Sequence, residues 1–169
     1  KAKEQTDEVK RKVEDKEKDL TVMKKDSSKP FELYKSLFEN NTSTAEGLQA
    51  GVRAVQILLE EKRFEEASEI LSKALNKENK DSFYTAHLRF IFVGVLENLG
   101  KAKEALLELE KIKMEEYQAK ALLTKARLTL GQGRQPEAIK LLNELNSKYN
   151  STQEARKARS LLALFGKLK

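Results

Sequence analysis

The sequence predicts an all-α protein built as an α-solenoid of antiparallel helix pairs, and three observations carry that expectation. Charged residues make up 36% of the chain and hydrophobic ones 39%, with only 7 Gly and 2 Pro in 169 residues, a balance that suits helices with Lys and Glu on their solvent faces. No stretch alternates apolar and polar residues with the Val, Ile and Thr enrichment of a strand. A short phrase centred on a small residue, "FEEASEIL", returns as "AKEALLEL" and "PEAIKLL".

Residues 1–27 are dominated by Lys, Asp and Glu, with Val9, Val13, Leu20 and Met23 as a thin apolar stripe, and read as a charged N-terminal helix or linker. Residues 28–169 then form the helical-repeat domain. Pro30 sits where a first helical position would be, and Phe31, Leu33, Tyr34, Leu37 and Phe38 give an apolar face that stops at Glu39-Asn40-Asn41. Ser43 or Thr44 can cap a helix that runs to about Glu61, with Leu48, Val52, Val55 and Leu58 among its apolar positions. The partner, Phe64 to about Lys77, puts Phe64, Ala67, Ile70, Leu71, Ala74 and Leu75 on one face. Asp81 can cap the next helix, Phe83 to Leu99, whose "FIFVGVL" is the most apolar run of the chain and places it centrally. Gly100 ends that helix and Ala102 to Ile112 follows. Glu115 to Leu130 is ended by Gly131-Gln132-Gly133, Pro136 to about Leu145 returns, and a last helix runs from about Ser151 to Phe165. Helix pairs are thus expected at about 44–77, 82–112 and 115–146, closed by a capping helix at 151–165.

Ala67, Ala105 and Ala138 recur at spacings of about 38 and 33 residues, which bracket the 34-residue tetratricopeptide period. A small residue at that point lets two antiparallel helices approach closely, because a bulkier side chain would push their backbones apart. Leu71, Leu109 and Leu142 stand four positions after each alanine. The glycine expected five positions before it is present as Gly100 and Gly133 but is Lys62 in the first unit. The aromatic expected three before is Phe64, then Ala102 and Gln135. The chain therefore reads as three degenerate tetratricopeptide (TPR) units.

The central segments "LFENNTSTAEGLQAGVRA", "EKRFEEASEILSKAL" and "KEALLELEKIKMEEYQAKALLTKARLTLGQGRQPEAIKLL" resemble the YfgM-like TPR family, single-span bacterial inner-membrane proteins with a periplasmic TPR-like domain. The resemblance covers roughly Leu33 to Leu145; in it a helix ends at Ile112-Lys113 and a short acidic and aromatic link, Glu115-Glu116-Tyr117, follows. The charged N-terminal stretch and the C-terminal "STQEARKARSLLALF" depart from that pattern. The resemblance implies an anchored periplasmic protein that is ancillary to the Sec translocon and works with periplasmic chaperones.

No catalytic constellation is found. His87 is the single histidine and has no Cys beside it to complete a metal site. Glu65-Glu66 and Glu115-Glu116 are sequence neighbours, so on a helix they point in different directions and do not make a general acid and base pair. "GQGR" lacks the strand, the third glycine and the Lys-Ser or Lys-Thr of a phosphate cradle. The chain is read as a non-enzyme with no cofactor and no metal.

In a TPR stack the first helix of each pair lines a concave groove suited to a peptide or a partner's helix. Carried over position by position, that frame nominates Arg53 and Gln56, then His87, Phe90, Glu97 and Asn98, then Lys120, Thr124 and Arg127. The clamp that grips a C-terminal carboxylate in some TPR domains falls on Val52, Gln56, Ile91, Lys120 and Thr124, of which only Lys120 matches. The expected partner is therefore a translocon subunit, a periplasmic chaperone or an extended peptide segment, recognised by mixed polar and apolar contacts.

The net charge of +6 leaves two alternatives open. Lys148, Arg156, Lys157, Arg159, Lys167 and Lys169 outnumber Glu154, a basic tail that could meet nucleic acid or anionic lipid head groups. Aromatic residues are not interleaved there, which argues against single-strand binding. Alternatively, the charged N-terminal helix or the set Leu161, Leu162, Leu164 and Phe165 could mediate self-association, leaving the oligomeric state open. No run of about 18 apolar residues exists. The chain opens on Lys1, so an upstream signal peptide, anchor or tag is expected to have been removed or left out. The absence of cysteine fits an oxidising compartment as well as the cytosol; the expected location is the periplasm, tethered to the inner membrane, with the cytoplasm as alternative.

Overall fold

The computed structural model describes residues 28–42, 44–77 and 82–165, and among these it contains eight α-helices and no strand. They are α1 (Ser28–Asn40), α2 (Ala45–Glu60), α3 (Phe64–Lys77), α4 (Phe83–Asn98), α5 (Ala102–Glu110), α6 (Glu115–Gly131), α7 (Gln135–Lys148) and α8 (Gln153–Leu164). The expected helix or linker over residues 1–27, the Ser43 and Asp81 caps, and Lys167 and Lys169 lie outside the described residues. The chain divides into two compact units, one ending at Lys62 and the other beginning at Arg63, a division that falls inside the expected 44–77 pair.

In the first unit α1 lies against α2. Phe31 and Phe38 supply the buried face of α1, and α2 meets it with glycines. A Cβ at Gly51 would stand 2.7 Å from Cδ2 of Phe38, and one at Gly47 would stand 1.8 Å from the Asn41 carbonyl oxygen. Both glycines are therefore fixed by contact, not by backbone angle. Thr44 caps α2: its backbone is extended and its hydroxyl accepts from the Gly47 N–H at 3.1 Å.

In the second unit each helix packs on the next in sequence from α3 to α8, and α6 also meets α8. Ala67, Ala105 and Ala138 are each fully buried, as are Leu71, Leu109 and Leu142 one turn on, which is where the repeat frame puts the contact between helices. α4 packs against both α3 and α5 and buries Ala86, Leu88, Phe92, Val93, Val95 and Leu96, in keeping with its apolar composition. Its cap is Ser82, which accepts from the Thr85 N–H at 3.1 Å. At the other end Leu142 and Leu145 of α7 share a core with Ala126 of α6 and Ala158 and Leu162 of α8. Each such leucine contributes about 1.5–3 kcal/mol by leaving water. The capping helix is thus set by apolar contact with α6 and α7 together. It begins after Thr152, whose hydroxyl accepts from the Ala155 N–H at 3.1 Å.

Three turns share one conformation. Gly100 and Gly133 have φ of 70° and 75°, and Lys62, which occupies the glycine position of the first unit, has φ of 59°. After α4 the Lys101 N–H reaches back to the Leu96 carbonyl at 2.8 Å, and after α6 the Arg134 N–H reaches the Thr129 carbonyl at 3.1 Å, so left-handed residues close both helix ends. A lysine there carries a Cβ in a conformation that glycine adopts freely. Lys62→Gly is therefore expected to stabilise the protein by about 0.5–1 kcal/mol, and Gly100→Ala or Gly133→Ala to destabilise it by about 1 kcal/mol. Thermal melts of the three variants check this, and a lower midpoint for Lys62→Gly would overturn it.

Among the described residues one charged side chain stands out as buried. Glu108 of α5 accepts from Arg89 Nη1 of α4 and from Lys111 Nζ, each at 2.5 Å, and the Arg89 and Glu108 side chains are 16% and 11% exposed. Removing one partner leaves the other desolvated and alone. Glu108→Leu is expected to cost about 3 kcal/mol, and adding Arg89→Met should recover most of that loss. Urea denaturation of the single and double variants decides it; a double variant no more stable than the single would show that the pairing carries no such penalty.

Candidate functional site

The site is built on α4 and α6, the first helices of the second and third repeat units. Their contacts ascend together: Phe83 and Phe90 meet Tyr117, Phe90 meets Lys120, and Glu97 meets Arg127. The two helices therefore run in the same direction, as they must when one antiparallel helix separates them. Phe83, Phe90 and Glu97 follow at intervals of two helical turns, about 10 Å apart, so they share one face of α4. Tyr117, Lys120, Thr124 and Arg127 do the same on α6 by their alternating spacings of three and four.

Along this face the chemistry changes from apolar to charged. At one end Phe83 is 59% exposed and meets the Tyr117 ring edge-on, with centroids 5.9 Å apart. Phe90 lies on the other flank of Tyr117 at 5.7 Å. The Lys120 ammonium sits 4.3 Å above the Phe90 ring, held by the negative face of the π-system. Two turns along, Arg127 donates twice to Glu97, Nη1 to Oε1 at 2.5 Å and Nη2 to Oε2 at 2.6 Å. The fork matches the planar carboxylate at both oxygens.

Of the nine residues nominated from the sequence, the fold joins Phe90 to Lys120 and Glu97 to Arg127. His87 is exposed one turn from both Phe83 and Phe90 on the same helix. Thr124 donates its hydroxyl to the Lys120 carbonyl at 2.8 Å, and Asn98 donates its amide to the Gly94 carbonyl at 2.8 Å, so both are engaged with their own helices. Arg53 and Gln56 belong to the first unit, where the guanidinium donates to the amide oxygen at 3.2 Å and both side chains are exposed. Phe83 and Tyr117 fall outside the nominated set. Phe83 reads only as the first residue of its helix, and Tyr117 as part of the acidic and aromatic Glu115-Glu116-Tyr117 stretch, which forms the first turn of α6 as the helix expected from Glu115 requires. Their signal is spacing: Phe83 lies seven before Phe90, and Tyr117 three before Lys120.

A cleft of about 580 Å³ between α3, α4 and α5 is lined by residues that include Phe92, Leu107, Glu108, Lys111 and Lys113, of which Glu108 and Lys111 pair with each other. On α7, Lys148 donates to Glu144 at 2.7 Å and its pKa is raised by that bond. Among the described residues no group of His, Asp or Glu could hold a metal ion, and no helix is long and apolar enough to cross a membrane.

The Glu97–Arg127 pair is solvent-exposed, at 35% and 57%, and exposed pairs contribute little to stability. Glu97→Gln should therefore cost less than about 1 kcal/mol in a urea titration. A larger loss would mean that the pair clamps α4 to α6.

No protein-family model matches the chain, and no curated protein matches its sequence. Among solved structures it is similar to YrrB, described as a TPR protein with an unusual peptide-binding site, with a TM-score of 0.57 and 17% identity over 88% of this chain and 74% of that one. At that identity the likeness carries the fold, which is all-α and TPR-like, as the repeat frame predicts.

Proposed function

We propose that the chain is a non-catalytic protein-interaction domain whose α4 and α6 face receives a segment of another polypeptide. The observation that carries this reading is the continuous sequence of aromatic, cation and ion pair across two parallel helices, where side chains from both helices meet. Aromatic and Arg side chains in such a setting are the groups that dominate binding energies at protein interfaces. The TPR-like fold supports the reading, as does the description of YrrB as having a peptide-binding site.

At the finer level, the resemblance of residues 33–145 to YfgM-like proteins supports a role as the periplasmic part of a membrane-anchored protein that assists Sec-dependent secretion or periplasmic chaperones. The alternative rests on the basic C-terminal set, part of which has local partners in the fold. Arg159 donates to Asn146 Oδ1 at 2.8 Å and to the Asn150 carbonyl, and Lys148 is held by Glu144, so Arg156 and Lys157 are the exposed cations left in the described part of that basic set.

A photo-reactive residue at His87, with a control at Arg156, tests the proposal in the full-length protein within native membranes. Polypeptide crosslinks are expected from position 87, and recovery of translocon or periplasmic chaperone subunits there supports the finer role. Crosslinks confined to position 156, to lipid or to nucleic acid would overturn it.

A further inference from the structure

Resting on that reading, the charge arrangement of the face narrows the partner's chemistry. Glu116 stands four residues before Lys120, the spacing at which a helical Glu pairs best with Lys. Lys120 nevertheless makes no ion pair with Glu116 or with any other described residue, and its ammonium lies over Phe90. A cation above a ring keeps its N–H donors for another group. Beside it, Phe83 is 59% exposed and meets Tyr117 only along an edge, which leaves apolar ring surface facing water. Arg127, by contrast, already has both ends of its fork on Glu97. The face thus offers one uncommitted cation next to one uncovered aromatic surface.

We infer that Phe83, Phe90, Tyr117 and Lys120 form a subsite for a polypeptide segment in which an aromatic or large aliphatic side chain stands beside an acidic side chain. The apolar side chain covers Phe83 and Tyr117, and the carboxylate accepts from Lys120. A chain-terminal carboxylate fits less well. With Arg127 occupied, Lys120 is the unpaired cation on this face among the described residues, whereas grips on a chain terminus use several donors, and the corresponding positions Ile91 and Thr124 carry no charge. An acidic side chain within a segment needs only the one.

The test is fluorescence anisotropy of the full chain with eight-residue, C-terminally amidated peptides. One carries a phenylalanine between two glutamates, a second replaces the glutamates by lysines, a third replaces the phenylalanine by alanine, and a random-sequence mixture serves as reference. The glutamate peptide should bind at least about fivefold more tightly than its lysine twin, the size of one exposed charge interaction, and the gap should shrink at high salt. Lys120→Glu should reverse that preference and Lys120→Arg should keep it. Phe83→Ala should weaken both charged twins about tenfold without changing their ratio. Residues 83 and 120 are exposed, so these variants should retain their circular dichroism and melting midpoint.

Equal binding of the twins, or a ratio that Lys120→Glu leaves unchanged, overturns the acidic preference while peptide binding itself stands. Tight binding only by a peptide with a free C-terminus overturns it in favour of terminal-carboxylate recognition. If no peptide binds and the random mixture also fails, the subsite and the interaction reading fall together.

Discussion

The close approach of neighbouring helices at buried alanines governs the second unit. Ala67, Ala105 and Ala138 have no exposed surface, and the leucines a turn later fill the angle that the crossing leaves. Once α5 is pressed onto α4, and α6 onto α5, the direction and spacing of α4 and α6 are largely set. The face that carries Phe83, Phe90, Tyr117, Lys120, Glu97 and Arg127 is therefore a by-product of small residues placed elsewhere. A change in volume at an alanine would shift rings and charges that it never touches.

Buried and exposed ion pairs contribute differently in this arrangement. The buried Arg89–Glu108 pair ties α4 to α5 where water is largely excluded, while the Glu97–Arg127 pair spans α4 and α6 in the open. Both consist of one Arg and one Glu, yet burial makes the first expensive to break, while exposure leaves the second worth little to stability. The aromatic cluster follows the same division. Phe92 is buried among the helices, and Phe83 on the same helix is turned outward.

Much of this is legible in the sequence because it is written in local patterns. Helix existence follows from apolar periodicity, and the helix contacts follow from a small residue that recurs in register, so the pairings of Ala105 with Leu109 and of Ala138 with Leu142 can be read from the order of residues alone. The same frame identifies Phe90, Lys120, Glu97 and Arg127 as residues of first helices. It does not show that they meet, because Glu97 and Arg127 are brought together only by the intervening α5 hairpin. Phe83 is hidden for another reason. An aromatic residue at the start of an apolar helix looks like core, and only the ends of the neighbouring helices decide whether it is covered. Ser82 and Asp81 are both capping residues by chemistry, and the extended backbone of Ser82 selects it. Lys62 shows the converse: a missing glycine in the repeat frame does not mean a missing turn.

The contacts of α3 to α8 join each helix to its neighbours in sequence, and α4 with α6 and α6 with α8 meet across one intervening helix. Order can therefore spread from whichever helix pair forms first, since no distant strand or terminus has to be found before contacts become favourable. The low cost of closing these short loops favours rapid folding, and it also limits cooperativity along the stack. In such an array one helix can detach and return while the alanine contacts of the others remain intact. One margin can thus yield without the fold being lost.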